Sequence, residues 1–147
     1  MNPQSPKVIA WVEDDSPDIA PVVRPLERAG YQIERFLTIK EALDNLDRLR
    51  ECDLILLDIF VPRGAIERDY GRYTGLKLLQ QIRNLYGIKK PVVVLSVLTE
   101  PKILKELKKQ NVAAILRKPV LPSLLKETVE RVLGIEHGPE EHPSAKR

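Results

Sequence analysis

The most restrictive feature of this sequence is the alternation of short apolar runs with longer amphipathic segments. Four runs of four or five residues are continuously apolar, and they cover 8–12, 54–57, 92–95 and 113–116. Such runs are typical of strands buried on both faces of a parallel sheet. The segment 32–36 alternates polar and apolar residues instead, which favours a fifth, weaker strand at a sheet edge.

Helical patterns separate the predicted strands. The first covers 16–29, with Pro17 in its first turn and Gly30 after its end. Thr38 and Glu41 have the spacing of a capping box at the start of the second. Further helices are predicted at 76–85, 101–109 and 123–133. This alternation indicates right-handed βαβ units, and hence a doubly wound α/β fold with helices on both faces of a parallel sheet.

Two of these helices carry specific expectations. Pro21 and Pro25 lie inside the first pattern, where each proline costs about 3 kcal/mol in a regular helix interior. We therefore expect this helix to be kinked or to begin late. The second helix is expected to run through Leu43, Leu46 and Leu49, which share one face.

Composition excludes several classes of site. Cys52 is the only cysteine, which excludes a disulfide scaffold or cysteine metal cluster and favours a reducing cytoplasm. His137 and His142, the only histidines, lie in the segment 134–147, whose composition predicts a disordered tail. Histidine-dependent nucleophiles and zinc sites are therefore not expected in the folded part. We expect one domain at 7–133, preceded by an extension at 1–6.

Charge and hydropathy give little sign of nucleic-acid or membrane binding. The chain has 24 Lys and Arg against 21 Asp and Glu. Lys102, Lys105, Lys108 and Lys109 form a local cluster, which we interpret as the solvated face of one helix. No apolar run approaches the roughly 18 residues that span a bilayer, and the first residues lack the form of a signal peptide. We expect no direct nucleic-acid partner and no membrane insertion.

Polar residues follow the apolar runs at the sheet edge where open α/β folds bind ligands. They are Glu13, Asp14, Asp58, Ser96 and Lys118. Carboxylates from adjacent strands repel each other unless a cation is present, and hard oxygen ligands suit Mg²⁺. A hydroxyl and a lysine opposite them would donate to a transferred phosphoryl group. The sequence therefore predicts an acidic metal site with an aspartate nucleophile.

The ordered motifs resemble the receiver domain of bacterial two-component response regulators. They are VEDD at 12–15, LLDIFVP at 56–62, Ser96, and Lys118 followed by Pro119. The resemblance runs from about residue 7 to residue 133. It implies a flavodoxin-like parallel sheet of five strands in the order 2-1-3-4-5.

The resemblance also implies chemical roles at the acidic end of the site. Asp58 would accept a phosphoryl group from the phosphohistidine of a sensor histidine kinase or phosphotransfer protein. Glu13, Asp14 and Asp58 would hold Mg²⁺, together with the backbone carbonyl of Phe60. The chain would be a phosphoacceptor rather than an enzyme that acts on other substrates.

The remaining implied roles concern the response to phosphorylation. Ser96 would be the hydroxyl switch residue, and Lys118 would pair with the phosphoryl oxygens. A cis peptide bond before Pro119 would aim Lys118. A stand-alone regulator of this kind would signal through contact with a downstream protein target, and a homodimer is left open.

Each site residue also has a simpler interpretation. Glu13 and Asp14 could merely favour the start of the following helix, and Asp58 could form a turn. Ser96 could cap a helix, and Lys118 could end a strand. The convergence of these residues on one sheet edge favours a common site.

Two alternative functions remain. A receiver that has lost its chemistry could act as a phosphorylation-independent adaptor. A phosphatase of the haloacid dehalogenase type is disfavoured, because Phe60 stands where that class needs a second aspartate.

The sequence departs from the receiver pattern in three places. The connection 62–74 is longer than usual, which favours partner recognition or cover for the site over a tolerated insertion. Ile115 stands where many receivers carry a switching aromatic residue, so we expect a different output route. Phe60, Val97 and Leu98 are apolar and flank the site, from which we expect a long-lived phosphoryl state.

Overall fold

The computed structural model describes residues 6–14, 16–97 and 100–135. The strands are β1 (Val8–Val12), β2 (Gln32–Phe36), β3 (Leu54–Asp58), β4 (Val92–Ser96) and β5 (Ala114–Arg117). The helices are α1 (Ser16–Arg28), α2 (Ile39–Leu43), α3 (Leu46–Glu51), α4 (Thr74–Asn84), α5 (Pro101–Lys109) and α6 (Pro122–Leu133). The five strands are all parallel and lie in the order β2-β1-β3-β4-β5. The predicted fold class and strand order are confirmed.

The apolar runs of β1, β3 and β4 are buried, as their continuous pattern predicts. For β5 this expectation is wrong, because the strand lies at the other edge of the sheet and its residues are half-buried or exposed. Successive residues of each central strand alternate between two separate core clusters. Val12, Leu57 and Val94 belong to one cluster, whereas Trp11 and Leu56 belong to the other. β2 lies at a sheet edge, in agreement with its alternating sequence.

The strand register brings the predicted site residues to one edge of the sheet. Val12 pairs with Leu57, so Glu13 and Asp58 each follow directly in neighbouring strands. Asp58 pairs with Leu95 of β4, and Ser96 is the next residue. Parallel pairing therefore places the three polar side chains at the carboxyl ends of β1, β3 and β4.

The expected second helix is wrong as a single element, because α2 and α3 are separate short helices. The break falls at Asn45, whose backbone has a non-helical ψ of 40°. The side-chain amide of Asn45 donates to the backbone carbonyl of Glu41 at 2.7 Å. This local hydrogen bond competes with the backbone hydrogen bonds that would continue the helix. The capping signal is confirmed, since Thr38 Oγ1 accepts from the Glu41 amide at 3.0 Å.

The helix α1 begins at Ser16, so the expected late start is wrong. Pro21 and Pro25 both lie inside this helix. A bend at either proline stays a prediction. Packing retains the helix, since Val23 and Leu26 are buried in the core. In α5 the four clustered lysines are all exposed, as expected.

The described part of the chain contains no helix that is both long enough and apolar enough to cross a membrane. The predicted extension and tail fall almost entirely outside the described residues, so these domain bounds stay predictions. The only described residues of the predicted tail are Gly134 and Ile135.

Candidate functional site

Lys118 connects the two carboxylates at the centre of the site. Its Nζ lies 2.8 Å from Glu13 Oε2 and 3.2 Å from Asp58 Oδ2. The Glu13 side chain is completely buried, and those of Asp58 and Lys118 are 9% and 12% exposed. The three groups are distant in sequence, so only the sheet brings them together. Their charges interact strongly because little water screens them.

Glu13 is the most perturbed of these groups. Burial raises its pKa to about 7, the negative charge of Asp58 adds to this rise, and the hydrogen bond with Lys118 opposes it. Burial lowers the pKa of Lys118, but the Glu13 hydrogen bond and the two carboxylate charges outweigh this effect, and the net pKa is raised. Lys118 therefore remains a cation at neutral pH.

A single peptide bond shapes the loop that carries Lys118. The bond between Lys118 and Pro119 is cis, as the motif predicts. The backbone amide of Lys118 donates to the carbonyl of Ser96 at 2.9 Å, so the ends of β4 and β5 stay in contact. Ser96 is buried at the end of β4. The structure thus places Ser96 beside the Lys118 segment.

The backbone of Glu13 has its own supports. Its amide donates to the carbonyl of Phe36 at 3.0 Å. Its carbonyl accepts from Nε and Nη2 of Arg35 at 3.2 and 3.1 Å. The guanidinium of Arg35 also lies 4.6 Å from the ring centroid of Trp11, a cation–π contact. Sequence reasoning missed Arg35, although the register that pairs it with Trp11 contains the signal.

The backbone of Asp58 is held by its close approach to α4. The amide of Gly75 donates to the carbonyl of Ile59 at 2.7 Å. A Cβ atom at position 75 would lie 2.7 Å from Ile59 Cα, which is too short for any real contact. Only glycine allows α4 to begin this close to Asp58. The Phe60 amide donates to Asp58 Oδ1 at 3.2 Å and orients the carboxylate.

The predicted metal ligands are brought together only in part. Glu13 and Asp58 meet through Lys118, but Asp14 is exposed, and the described residues contain no group of three Asp, Glu, His or Cys that could hold a metal ion. The donor chemistry still suits Mg²⁺, since it consists of hard carboxylate oxygens. The buried Glu13 Oε1 has no hydrogen-bond partner and is available to a proton or a cation. Asp14 as a ligand stays a prediction.

Comparison with known proteins decides the family. A family model described as the response regulator receiver domain matches residues 9–130.

The chain belongs to the response regulator receiver family.

Solved receiver structures share the fold of this chain. A CheY-like receiver domain protein from Methanospirillum hungatei has a TM-score of 0.70 at 24% identity, covering 88% of this chain and 95% of its own. A two-component response regulator from Clostridium difficile has a TM-score of 0.72 at 21% identity, covering 90% and 99%. The chemotaxis response regulator CheY4 of Vibrio cholerae has a TM-score of 0.70 at 26% identity, covering 87% and 99%. A search of curated protein sequences found no significant match.

Membership of the family indicates the cofactor and the partners that sites of this kind generally have. Receiver domains generally use Mg²⁺ at the phosphorylation site, and they interact with histidine kinases and downstream targets. The chain is therefore a signal transduction domain of a two-component system.

The long connection between β3 and α4 is anchored at several points. Tyr70 is buried, and its hydroxyl donates to Gln81 Oε1 at 2.7 Å. Thr74 Oγ1 accepts from the Val61 amide at 2.9 Å and donates to the Val61 carbonyl at 2.6 Å. The carbonyl of Pro62 accepts from the amide of Ile39 at 2.9 Å. These contacts tie the connection to α2 and α4, so it is a packed part of this receiver.

The other departures from the receiver pattern are one residue of β5 and three apolar residues that follow Asp58 and Ser96 in the sequence. Ile115 is half-buried and packs against the core, so no aromatic ring occupies this position in β5. Phe60 is half-buried, Val97 is exposed, and Leu98 lies outside the described residues. The long lifetime of the phosphoryl state stays a prediction.

Proposed function

We propose that this receiver accepts a phosphoryl group on Asp58 from the phosphohistidine of a sensor histidine kinase or phosphotransfer protein. The observation that carries the proposal is the position of Lys118 Nζ within reach of both Glu13 and Asp58. A nucleophilic carboxylate, an acidic neighbour and a shared cation are the groups that phosphoryl transfer to aspartate needs.

The transfer exchanges one bond to phosphorus for another. A carboxylate oxygen of Asp58 attacks phosphorus, and the P–N bond to the donor imidazole breaks. The electron pair of that bond returns to the imidazole nitrogen, and the imidazole, which is protonated on its other ring nitrogen, leaves as neutral histidine. The product is an aspartyl phosphate, an acyl phosphate with fresh negative charge at the end of β3.

The protein's own groups stabilise this charge. Lys118 is a protonated donor next to Asp58, so it can pair with the phosphoryl oxygens as they approach. The Phe60 amide already donates to one Asp58 oxygen, which leaves the other toward Lys118. Ser96 at the end of β4 is the proposed hydroxyl switch. The carboxylates of Glu13, Asp14 and Asp58 and the backbone carbonyl of Phe60 would hold Mg²⁺. When bound, this ion supplies charge neutralisation for the phosphoryl oxygens.

The output is proposed to be contact with a downstream protein, with no catalysis on other substrates. Signalling as a stand-alone regulator stays a prediction. A cytoplasmic location is proposed from the single thiol of Cys52, which is free and buried. Burial raises the pKa of Cys52 to about 11, so this thiol is unreactive in a reducing compartment.

One observation favours a phosphorylation-independent adaptor as the second candidate. Asp14 is exposed and is not gathered with Glu13 and Asp58 into a group that could hold a metal ion. An adaptor would keep the Lys118 ion pairs as structural contacts and would take no phosphoryl group.

Intact-mass measurement separates the two candidates. The protein is incubated with Mg²⁺ and acetyl phosphate, and we expect one added phosphoryl group that is absent in Asp58→Asn. The control is Asp47→Asn, which alters an exposed carboxylate on α3 and should leave the adduct unchanged. Absence of an adduct in the wild type, or its persistence in Asp58→Asn, contradicts the proposal.

A further inference from the structure

The long connection between β3 and α4 ends in a contact with the start of α5. Tyr73, the residue before α4, donates its hydroxyl to Glu100 Oε1 at 2.7 Å. Glu100 is the N-cap residue of α5, but its side chain makes no capping hydrogen bond. The two residues are 27 positions apart, so the hydrogen bond joins two separate loops. Glu100 is therefore free of a capping task and available to Tyr73.

This contact lies at the edge of the sheet that carries Asp58. One loop leaves the end of β3 and the other leaves the end of β4, and these strands are parallel neighbours. The Tyr73–Glu100 hydrogen bond therefore joins the connection that follows β3 to the connection that follows β4. Asp58 and Ser96 are the last residues of those strands. The hydrogen bond between the Gly75 amide and the Ile59 carbonyl holds the Tyr73 end of this link beside the end of β3.

The Tyr73 ring is held by two further side chains. Its centroid lies 5.7 Å from that of Phe60, with the planes tilted by 51°. The guanidinium carbon of Arg72 lies 5.5 Å from the Tyr73 centroid. The backbone amide of Phe60 donates to Asp58 Oδ1. Phe60 therefore contacts both the Tyr73 ring and the Asp58 carboxylate.

Access to Asp58 is restricted, because the residue is only 7% exposed. A carboxylate this buried reacts with a donor only when neighbouring groups admit it. We propose that the Tyr73–Glu100 hydrogen bond forms a rim that limits the access of phosphodonors and water to Asp58. The inference rests on the proposed phosphoacceptor function, and it assigns the two residues control of access and not a part in the chemistry.

The rim affects two reactions that both require an approach to phosphorus. In phosphorylation by phosphoramidate, an Asp58 oxygen bonds to phosphorus, the P–N bond breaks, and ammonia leaves. In hydrolysis, a water oxygen bonds to phosphorus, the aspartyl O–P bond breaks, and phosphate and the Asp58 carboxylate are formed. Opening the rim accelerates both reactions, whereas damage to the site would slow phosphorylation.

The test compares Tyr73→Phe, Glu100→Ala and the double variant. Each single change should raise the rates of phosphorylation by phosphoramidate and of hydrolysis by about threefold to tenfold. The double variant should add no further increase, because both changes remove the same hydrogen bond. Tyr86→Phe, beyond the C-terminal end of α4, and Glu106→Gln, on α5, are matched controls that should leave both rates unchanged.

A second measurement does not depend on phosphorylation. Asp58 of the unmodified protein is labelled with a carbodiimide and a small amine, and its peptide is followed by mass spectrometry. Labelling of Asp58 should be faster in Tyr73→Phe than in the wild type. The wild type could take no phosphoryl group while Asp58 is still labelled faster in Tyr73→Phe. In that case the proposed function is wrong, but the restriction of access by the rim is supported. The rim is overturned if the single variants are phosphorylated or hydrolysed no faster than the wild type, or if their effects add in the double variant. It is also overturned if Asp58 is labelled equally fast in the wild type and in Tyr73→Phe.

Discussion

Arg35 binds the backbone of Glu13 through two nitrogens of its guanidinium, with Nε and Nη2 3.2 and 3.1 Å from the Glu13 carbonyl oxygen. Because Arg35 lies on the edge strand β2, this pair of hydrogen bonds secures the end of β1 from the side of the sheet. The same guanidinium contacts the face of Trp11, two residues before Glu13. One side chain therefore holds the segment that supplies the most buried carboxylate.

We expect Arg35→Met to lower the free energy of unfolding by about 1–3 kcal/mol, because it removes charged hydrogen bonds to a partly buried carbonyl. The emission of Trp11, the only tryptophan, should also change as the cation leaves its ring. Urea unfolding followed by fluorescence measures both effects. Arg28→Met, at the exposed end of α1, is the control. Equal stability of the Arg35 and Arg28 variants would contradict the role given to Arg35.

The raised pKa of Glu13 predicts a pH-dependent stability. Its pKa is about 7 in the folded protein against 4.5 when unperturbed, so the folded state binds the proton more tightly. Its contribution to stability is complete below about pH 4.5 and is lost as the pH rises through about 7.

We expect Glu13→Gln to gain stability relative to the wild type between pH 5 and pH 8 in the absence of Mg²⁺. The free energy of unfolding is measured in urea at several pH values, with Glu51→Gln at the end of α3 as the control. Lys118, with a pKa raised above 10.5, does not titrate in this range. Parallel pH profiles for wild type and Glu13→Gln would show that Glu13 is not perturbed.

Gly75→Ala is expected to slow phosphorylation of Asp58. The added Cβ would collide with the backbone at Asp58 and Ile59, so α4 must move away from the end of β3. The control is Gly71→Ala, where nothing lies within 4 Å of the added atom and only the positive φ of 69° is strained. The phosphorylation rate with acetyl phosphate should fall in the Gly75 variant alone, and similar rates in both variants would be inconsistent with this packing.

Arg83 is expected to matter for stability and not for the chemistry. It donates to the carbonyls of Gln110, Ile88 and Lys90 at 3.0, 2.9 and 2.8 Å. Ile88 and Lys90 lie between α4 and β4, and Gln110 is the C-cap residue of α5. Arg83→Met should cost at least about 2 kcal/mol of unfolding free energy, because three carbonyls lose a charged donor. In conditions where it is folded, its phosphorylation rate should match the wild type. An unchanged urea midpoint would contradict this prediction.

The sequence predicts the strands and most of the site because both depend on local patterns. Continuous apolar runs indicate buried parallel strands, and the carboxyl ends of such strands share one edge. The sequence alone therefore groups Glu13, Asp58 and Lys118. The bounds of β5 differ by one residue from its apolar run, since Arg117 still pairs with Ser96.

The features that the sequence does not reveal are contacts between distant loops. Tyr73 and Glu100 are 27 positions apart, and no periodicity links them. From the sequence alone, Arg35 is an ordinary polar residue of an edge strand. Its contact with Trp11 follows only from the register between β1 and β2. The break at Asn45 was missed because the leucine pattern of a helix continues through it, while one side-chain hydrogen bond ends the helix.

The most direct test of the central claim is chemical trapping of the phosphorylated aspartate. After incubation with Mg²⁺ and acetyl phosphate, hydroxylamine displaces phosphate from an acyl phosphate and leaves a hydroxamate that marks the residue. Peptide mass spectrometry should find the hydroxamate on Asp58, and only when both Mg²⁺ and the donor are present. No hydroxamate, or a hydroxamate on another carboxylate, would contradict the assignment of Asp58 as the phosphoacceptor.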